Sequence, residues 1–95
     1  MKRSELEREL SAKFGLQPQQ SEQIIDAVIN HMTDVLQGGG RIEIRGFGSF
    51  FTKVYKPYSG RNPRTGETVQ VPSKKLPHFR PSKELRKKMN EVQSQ

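Results

Sequence analysis

The run Arg61-Asn62-Pro63-Arg64 places a rigid apolar ring between two guanidiniums and an amide, within the segment Gly60-Arg61-Asn62-Pro63-Arg64-Thr65-Gly66. These side chains suit the minor groove of a nucleic-acid duplex. Arginine is drawn to the negative potential there, an amide can meet the groove's degenerate acceptor pattern, and proline can enter between base steps and partly unstack them. The same segment also reads as a plain solvated turn, because Asn-Pro and Thr-Gly are ordinary turn formers. On this motif alone the two readings stand level.

Groove dimensions bear on the choice. A two-stranded ribbon with strands about 4.8 Å apart, side chains added, does not fit a groove roughly 6 Å wide. The groove must open, and bending a duplex by about 40 to 90 degrees costs on the order of 1 to 6 kcal/mol. Contacts to phosphates on the flanks must offset that cost. Lys53, Lys74, Lys75, Arg80, Lys83, Arg86, Lys87 and Lys88 are the candidates, and Lys83 falls at a predicted helix N-terminus, which itself attracts anions. About half of these cations are expected to be solvated surface charges only.

Other chemistries find few players. There is no cysteine, so disulfides, thiolate catalysis and cysteine zinc sites are excluded. His31 lies in a predicted helix beside Met32, and His78 sits between Pro77 and Phe79 with no evident carboxylate partner; both read as structural or DNA-facing. Neither Gly38-Gly39-Gly40 nor Gly46-Phe47-Gly48 leads into the lysine and hydroxyl of a P-loop. Glu5, Glu7 and Glu9 read as a solvated helix face. We therefore expect no catalysis, no cofactor, no metal and no small-molecule substrate. Phe47, Phe50 and Phe79 are conceivable stacking platforms for unpaired bases, but beside turn glycines and strand residues they read as core, and Phe51 falls on the outer face by parity.

The elements that must position these residues follow from periodicity. Ser4 and Glu7 have capping-box spacing, and Leu6, Leu10 and Phe14 recur every four residues up to Gly15, predicting a short helix. Pro18 opens a second helix whose stripe is Ile24, Ile25, Val28, Ile29, Met32, Val35 and Leu36, stopped by Gly38 to Gly40. From Arg41 the period becomes two: Ile42 and Ile44 alternate with Arg41, Glu43 and Arg45. Gly46, Phe47 and Gly48 are expected to turn the chain. The next strand sets Phe50, Thr52 and Val54 against Phe51, Lys53 and Tyr55, so cations and aromatics share the outer face. Residues 57–72 are too polar and too rich in Pro and Gly to pack, and are predicted to form a two-stranded arm with its tip around Asn62 to Gly66. Lys74 to Arg80 returns as a third strand, with Pro77 marking an edge or bulge. Ser82 caps a last helix that turns Leu85, Met89 and Val92 inward.

Composition sets the frame. Ninety-five residues, 31% of them apolar and 28% charged, make a single domain with a small core, which we expect a dimer to complete. The net charge of +7 favours polyanions, and it is segregated. Residues 1–40 carry four Lys or Arg against six acidic residues, residues 41–95 thirteen against four. With no basic-then-apolar leader, and with Ile24 to Ile29 interrupted by Asp26, neither secretion nor membrane spanning is expected.

The order of two helices, Gly46-Phe47-Gly48-Ser49-Phe50, the Gly60-to-Gly66 arm and Pro77-His78-Phe79-Arg80-Pro81 resembles the bacterial HU and integration host factor family along nearly the whole chain. Arg41-Ile42-Glu43-Ile44-Arg45-Gly46 is most similar to the beta subunit of integration host factor. The resemblance implies an α+β fold and an intertwined dimer. Residues 1–40 would form a helical base, 41–56 and 73–81 a three-stranded antiparallel saddle, 57–72 a protruding β-arm, and 82–92 a C-terminal helix. It implies that Pro63 is the intercalating wedge, that Arg61, Asn62 and Arg64 lie along the minor groove, and that Phe47, Phe50 and Phe79 fill the dimer core. It also implies that Glu43 steadies Arg45 in the groove and so adds sequence preference. The full candidate contact set is Lys53, Tyr55, Lys56, Arg61, Asn62, Pro63, Arg64, Lys74 and Lys75 on the arm and its stem, with Arg3, Ser4, Glu43, Arg45, Gly46, Arg80, Lys83 and Arg86 on the body. Tyr55 and Tyr58 depart from the family, which often carries Arg or Lys there.

The implied function is an architectural, nucleoid-associated protein of the bacterial cytoplasm that bends double-stranded DNA as a homodimer or with a related subunit. Two rivals stay open: a single-stranded DNA or RNA module in which Phe51, Tyr55 and Tyr58 stack on bases, and a structural assembly factor whose arms embrace another protein.

Overall fold

The structure, a computed structural model, describes residues 1–91. It divides into two compact units, Met1–Val35 and a second that begins at Leu36.

The first unit is helical. Helix α1 spans Arg3–Phe14 and stops at Gly15, whose left-handed φ of 63° lets its N–H reach back to the Ser11 carbonyl. The predicted capping box does not form: Ser4 lies inside the helix, Lys2 is the cap residue, and no side chain caps the end. The Lys2 carbonyl accepts from the amides of Glu5 and Leu6, each at 3.1 Å, and the Glu7 carboxylate is taken by Arg3 instead. A reaching-back contact of the capping-box kind occurs at the next helix, α2 (Pro18–Gln37), where the Gln17 amide donates to Gln20 Oε1 at 2.9 Å. Ser21, fully buried, hydrogen-bonds Ser11 and so ties α2 to α1.

The predicted stripe of α2 is present but uncovered. Ile25 is 6% exposed and is the one buried hydrophobic side chain among the described residues; Ile24, Val28 and Ile29 remain 44%, 53% and 42% exposed.

The second unit holds an antiparallel sheet in the order β1 (Ile42–Ile44), β2 (Gly48–Tyr55), β5 (Lys74–Pro81), and a separate ribbon of β3 (Tyr58–Arg61) and β4 (Thr68–Val71). The turn after β1 is Arg45 to Phe47 rather than Gly46 to Gly48, closed by the Phe47 amide on the Ile44 carbonyl at 3.0 Å. Arg45 therefore sits in the turn and not on a strand face. Gly48 opens β2 opposite Pro81, and it must be glycine: a Cβ there would lie 2.5 Å from the Arg80 carbonyl oxygen and 2.7 Å from the Phe79 ring. Pro77 lies opposite Thr52 on β5, an edge of this sheet, where a residue without an N–H is tolerated. Thr52 donates its hydroxyl to the Leu36 carbonyl at 2.8 Å.

Ser82 caps helix α3 (Lys83–Asn90), its hydroxyl oxygen accepting from the Leu85 amide at 3.0 Å. Leu85 is half-buried, but Met89 is 68% exposed in the chain and not turned inward. Val92 lies outside the described residues. No helix among the described residues is long and apolar enough to cross a membrane.

Candidate nucleic-acid interface

The ribbon is a regular hairpin stem, Tyr58 opposite Val71 and Arg61 opposite Thr68. Above it the chain closes on Asn62 from three sides. The Asn62 amide donates to the Glu67 carbonyl at 2.8 Å, its carbonyl accepts from Gly66 at 2.8 Å, and its side-chain Oδ1 accepts from the Arg64 amide at 2.9 Å. Gly66 supplies the positive φ of 75° that the return needs. Pro63 is held between these bonds at the tip, and Arg61, Pro63 and Arg64 are all exposed.

Register sorts the stem's candidates by face. Cross-strand partners share a face, so Lys53, Tyr55 and Lys74 lie on one side of the β2–β5 pair together with Phe51, His78, Ser49 and Arg80. Lys75, opposite Val54, lies on the other, and the sequence set does not form a single surface. Lys56 is in the exposed link between β2 and β3. On the ribbon, Tyr58, Gly60, Val69 and Val71 make one face; Ser59, Arg61, Thr68 and Gln70 make the other.

In the body of this unit a depression of about 500 Å³ is lined by Glu43, Arg45, Gly46, Ser49, Arg80, Ser82 and Glu84. Gly46 carries a φ of 80° there, which lets the turn place Arg45 at the rim. Glu43 does not hold Arg45. Its Oε1 accepts from Arg41 Nε at 3.0 Å, two residues back on the same strand face, and Arg45 has no ion-pair partner among the described residues. The family-derived pairing is thus not the arrangement of the chain alone. Lys83 and Arg86 are exposed on α3, Lys83 at its first position.

Arg3 is engaged elsewhere. Its guanidinium bonds Glu7 at 2.8 Å and also Asp26, and those hydrogen bonds, that of Glu7 first, raise its pKa further above neutrality. It works as a clamp between α1 and α2. Ser4 lines a separate depression of about 340 Å³ with Glu7, Arg8, Ser11 and Pro18. The sequence spacing did not reveal Arg3's role because Asp26 lies 23 positions away.

Phe47, Phe50 and Phe79 form a cluster with ring centroids 4.8 to 6.4 Å apart. Phe51 is on the opposite face, stacked on His78 at 5.8 Å and 16°, while Tyr55 and His78 share a hydrogen bond of 3.2 Å. The partner of His78 is therefore a tyrosine across the sheet. No cluster of metal-ligating side chains occurs among the described residues.

An α+β unit carrying a basic, proline-tipped hairpin arm is the build of an architectural DNA-binding protein. The chain belongs to the family of bacterial DNA-binding proteins, that of HU and integration host factor, whose family model matches residues 1–90. Among its relatives, "Integration host factor subunit beta" of Methylococcus capsulatus is 48% identical over 97% of this chain and 98% of its own length. The subunit of the same name from Aliivibrio salmonicida is 47% identical over 95% and 98%. An HU protein of Anabaena, solved in a cocrystal with DNA, superposes with a TM-score of 0.80 at 28% identity over 94% of this chain and 97% of that one. HU from Thermotoga maritima gives a TM-score of 0.63 at 26% identity, covering 94% and 98%.

Proposed function

We propose that this chain is one half of a dimer that binds duplex DNA in the minor groove and bends it by inserting Pro63 between base steps. The observation that carries this reading is the tip: a proline fixed by three hydrogen bonds to Asn62, flanked by exposed Arg61 and Arg64, at the end of a stem with nothing to bury. An ordinary turn accounts for the hydrogen bonds; the two exposed guanidiniums set beside the ring are what favour the groove. The cations on the outer face of β2 and β5, with those at the start of α3, supply the phosphate contacts that offset the cost of bending. The partner chain is a second copy or a related subunit. The protein acts in the cytoplasm on the nucleoid, supporting DNA compaction, recombination, replication and transcription control. The base-stacking rival is disfavoured at Phe51 and Tyr55, because both rings are already engaged with His78.

A gel-shift series across salt, paired with a fluorescence-transfer bend assay, tests the proposal. Affinity for a duplex should fall on the order of a thousandfold between about 50 and 200 mM salt. Pro63→Ala should reduce the bend more than the affinity. A bend angle unchanged by that substitution would remove the wedge.

A further inference from the structure

We propose that Phe51 is a positioning residue for phosphate binding, its ring holding Arg41 and Arg80 as a preset pair of cations on the outer face of the sheet. The inference rests on the reading above, that a duplex meets this face. Phe51 belongs to the polar side of β2, between Ser49 and Lys53, where there is no core for it to fill. Its half-burial comes from the side chains laid over it. Arg41 Cζ is 5.6 Å and Arg80 Cζ 5.7 Å from the ring centroid, both within cation–π range, and His78 stacks on the same ring.

The negative π face of the ring attracts each guanidinium and holds it in place. The ring also keeps their donors available. Arg41 gives only its Nε to Glu43, and Arg80 has no ion-pair partner among the described residues, so both retain N–H groups for a phosphate. Side chains ordered in advance lose less rotamer freedom on binding. An apolar residue on an outward face thereby strengthens a polar contact.

The test uses the full chain and a duplex probe, with affinity read across salt. Phe51→Leu keeps both arginines but removes the ring. We expect binding about five- to tenfold weaker near 0.1 M salt and a log–log salt slope shallower by about one, with an unchanged urea midpoint. Phe51→Tyr should restore both values. In an Arg41→Gln, Arg80→Gln background, Phe51→Leu should have no further effect. If the leucine variant melts early, Phe51→Met, of similar volume and without a ring, replaces it. A wild-type slope in the ring-less variant, failure of tyrosine to rescue, or an undiminished effect in the double-glutamine background overturns the proposal while the duplex-binding reading stands. If the unmodified protein shows no salt-dependent duplex affinity, both fall together.

Discussion

If Asn62 meets the groove as proposed, its two side-chain ends divide the work. Its Oδ1 accepts from the Arg64 amide and shapes the tip, and its Nδ2 makes no hydrogen bond among the described residues. The minor groove of an A·T pair offers only acceptors, so the donor is the useful end. Asn62→Asp separates the roles: it keeps the acceptor that makes the turn and removes the donor, adding a charge that the phosphates repel. We expect the amide NMR shifts of residues 61–67 to stay close to wild type while duplex affinity falls by about 1 to 3 kcal/mol, on the order of five- to 150-fold. Asn62→Ala should instead disturb both. Full affinity in the aspartate variant would mean that Asn62 is only a turn former.

At the level of elements, the close approach of β2 and β5 at Gly48 is what joins the turn, the phenylalanine cluster and α3. The Ser82 amide bonds the Phe47 carbonyl at 2.9 Å, so the turn and the cap of α3 are fixed to each other. A methyl at Gly48 would meet backbone on one side and an aromatic ring on the other. Gly48→Ala should therefore cost about 1 to 3 kcal/mol, read as a lower urea midpoint with an unchanged m value. A midpoint equal to wild type would show that β5 yields easily. The sequence exposed much of this level, because period, glycine and proline are local signals: the C-terminal end of α1, both ends of α2, the arm's hairpin, and the Ser82 cap all follow from neighbours in the chain. It concealed what depends on register. Whether Lys74 or Lys75 shares a face with Lys53 and why Phe51 sits among arginines are decided by partners up to 29 positions apart, and which cation Glu43 holds is decided by a competition between Arg41 and Arg45 that spacing alone leaves level. Ser4 misled because Lys2 already provides the first helical carbonyl, and Glu7 has a stronger partner in Arg3.

For the whole molecule, the quantity to explain is how little a single chain buries. With Ile25 the one buried hydrophobic side chain among the described residues, the interior of one chain is too small to offset the conformational entropy of ordering it. The uncovered stripe of Ile24, Val28 and Ile29 and the half-exposed Phe47 and Phe79 are the surfaces a second chain would cover. Burying a valine of this kind gives about 1.5 to 3 kcal/mol, and an unpaired carboxylate in its place is strongly unfavourable. Val28→Asp should thus lower the sedimentation mass from twice the 10.9 kDa of one chain toward a single chain, with loss of helical signal at micromolar concentration. If, as proposed, two arms pull both flanks of a duplex toward the body, bending should disappear with it. A Val28→Asp protein that remained a folded monomer and still bent DNA fully would show that one chain suffices, and the exposed stripe would then need another occupant.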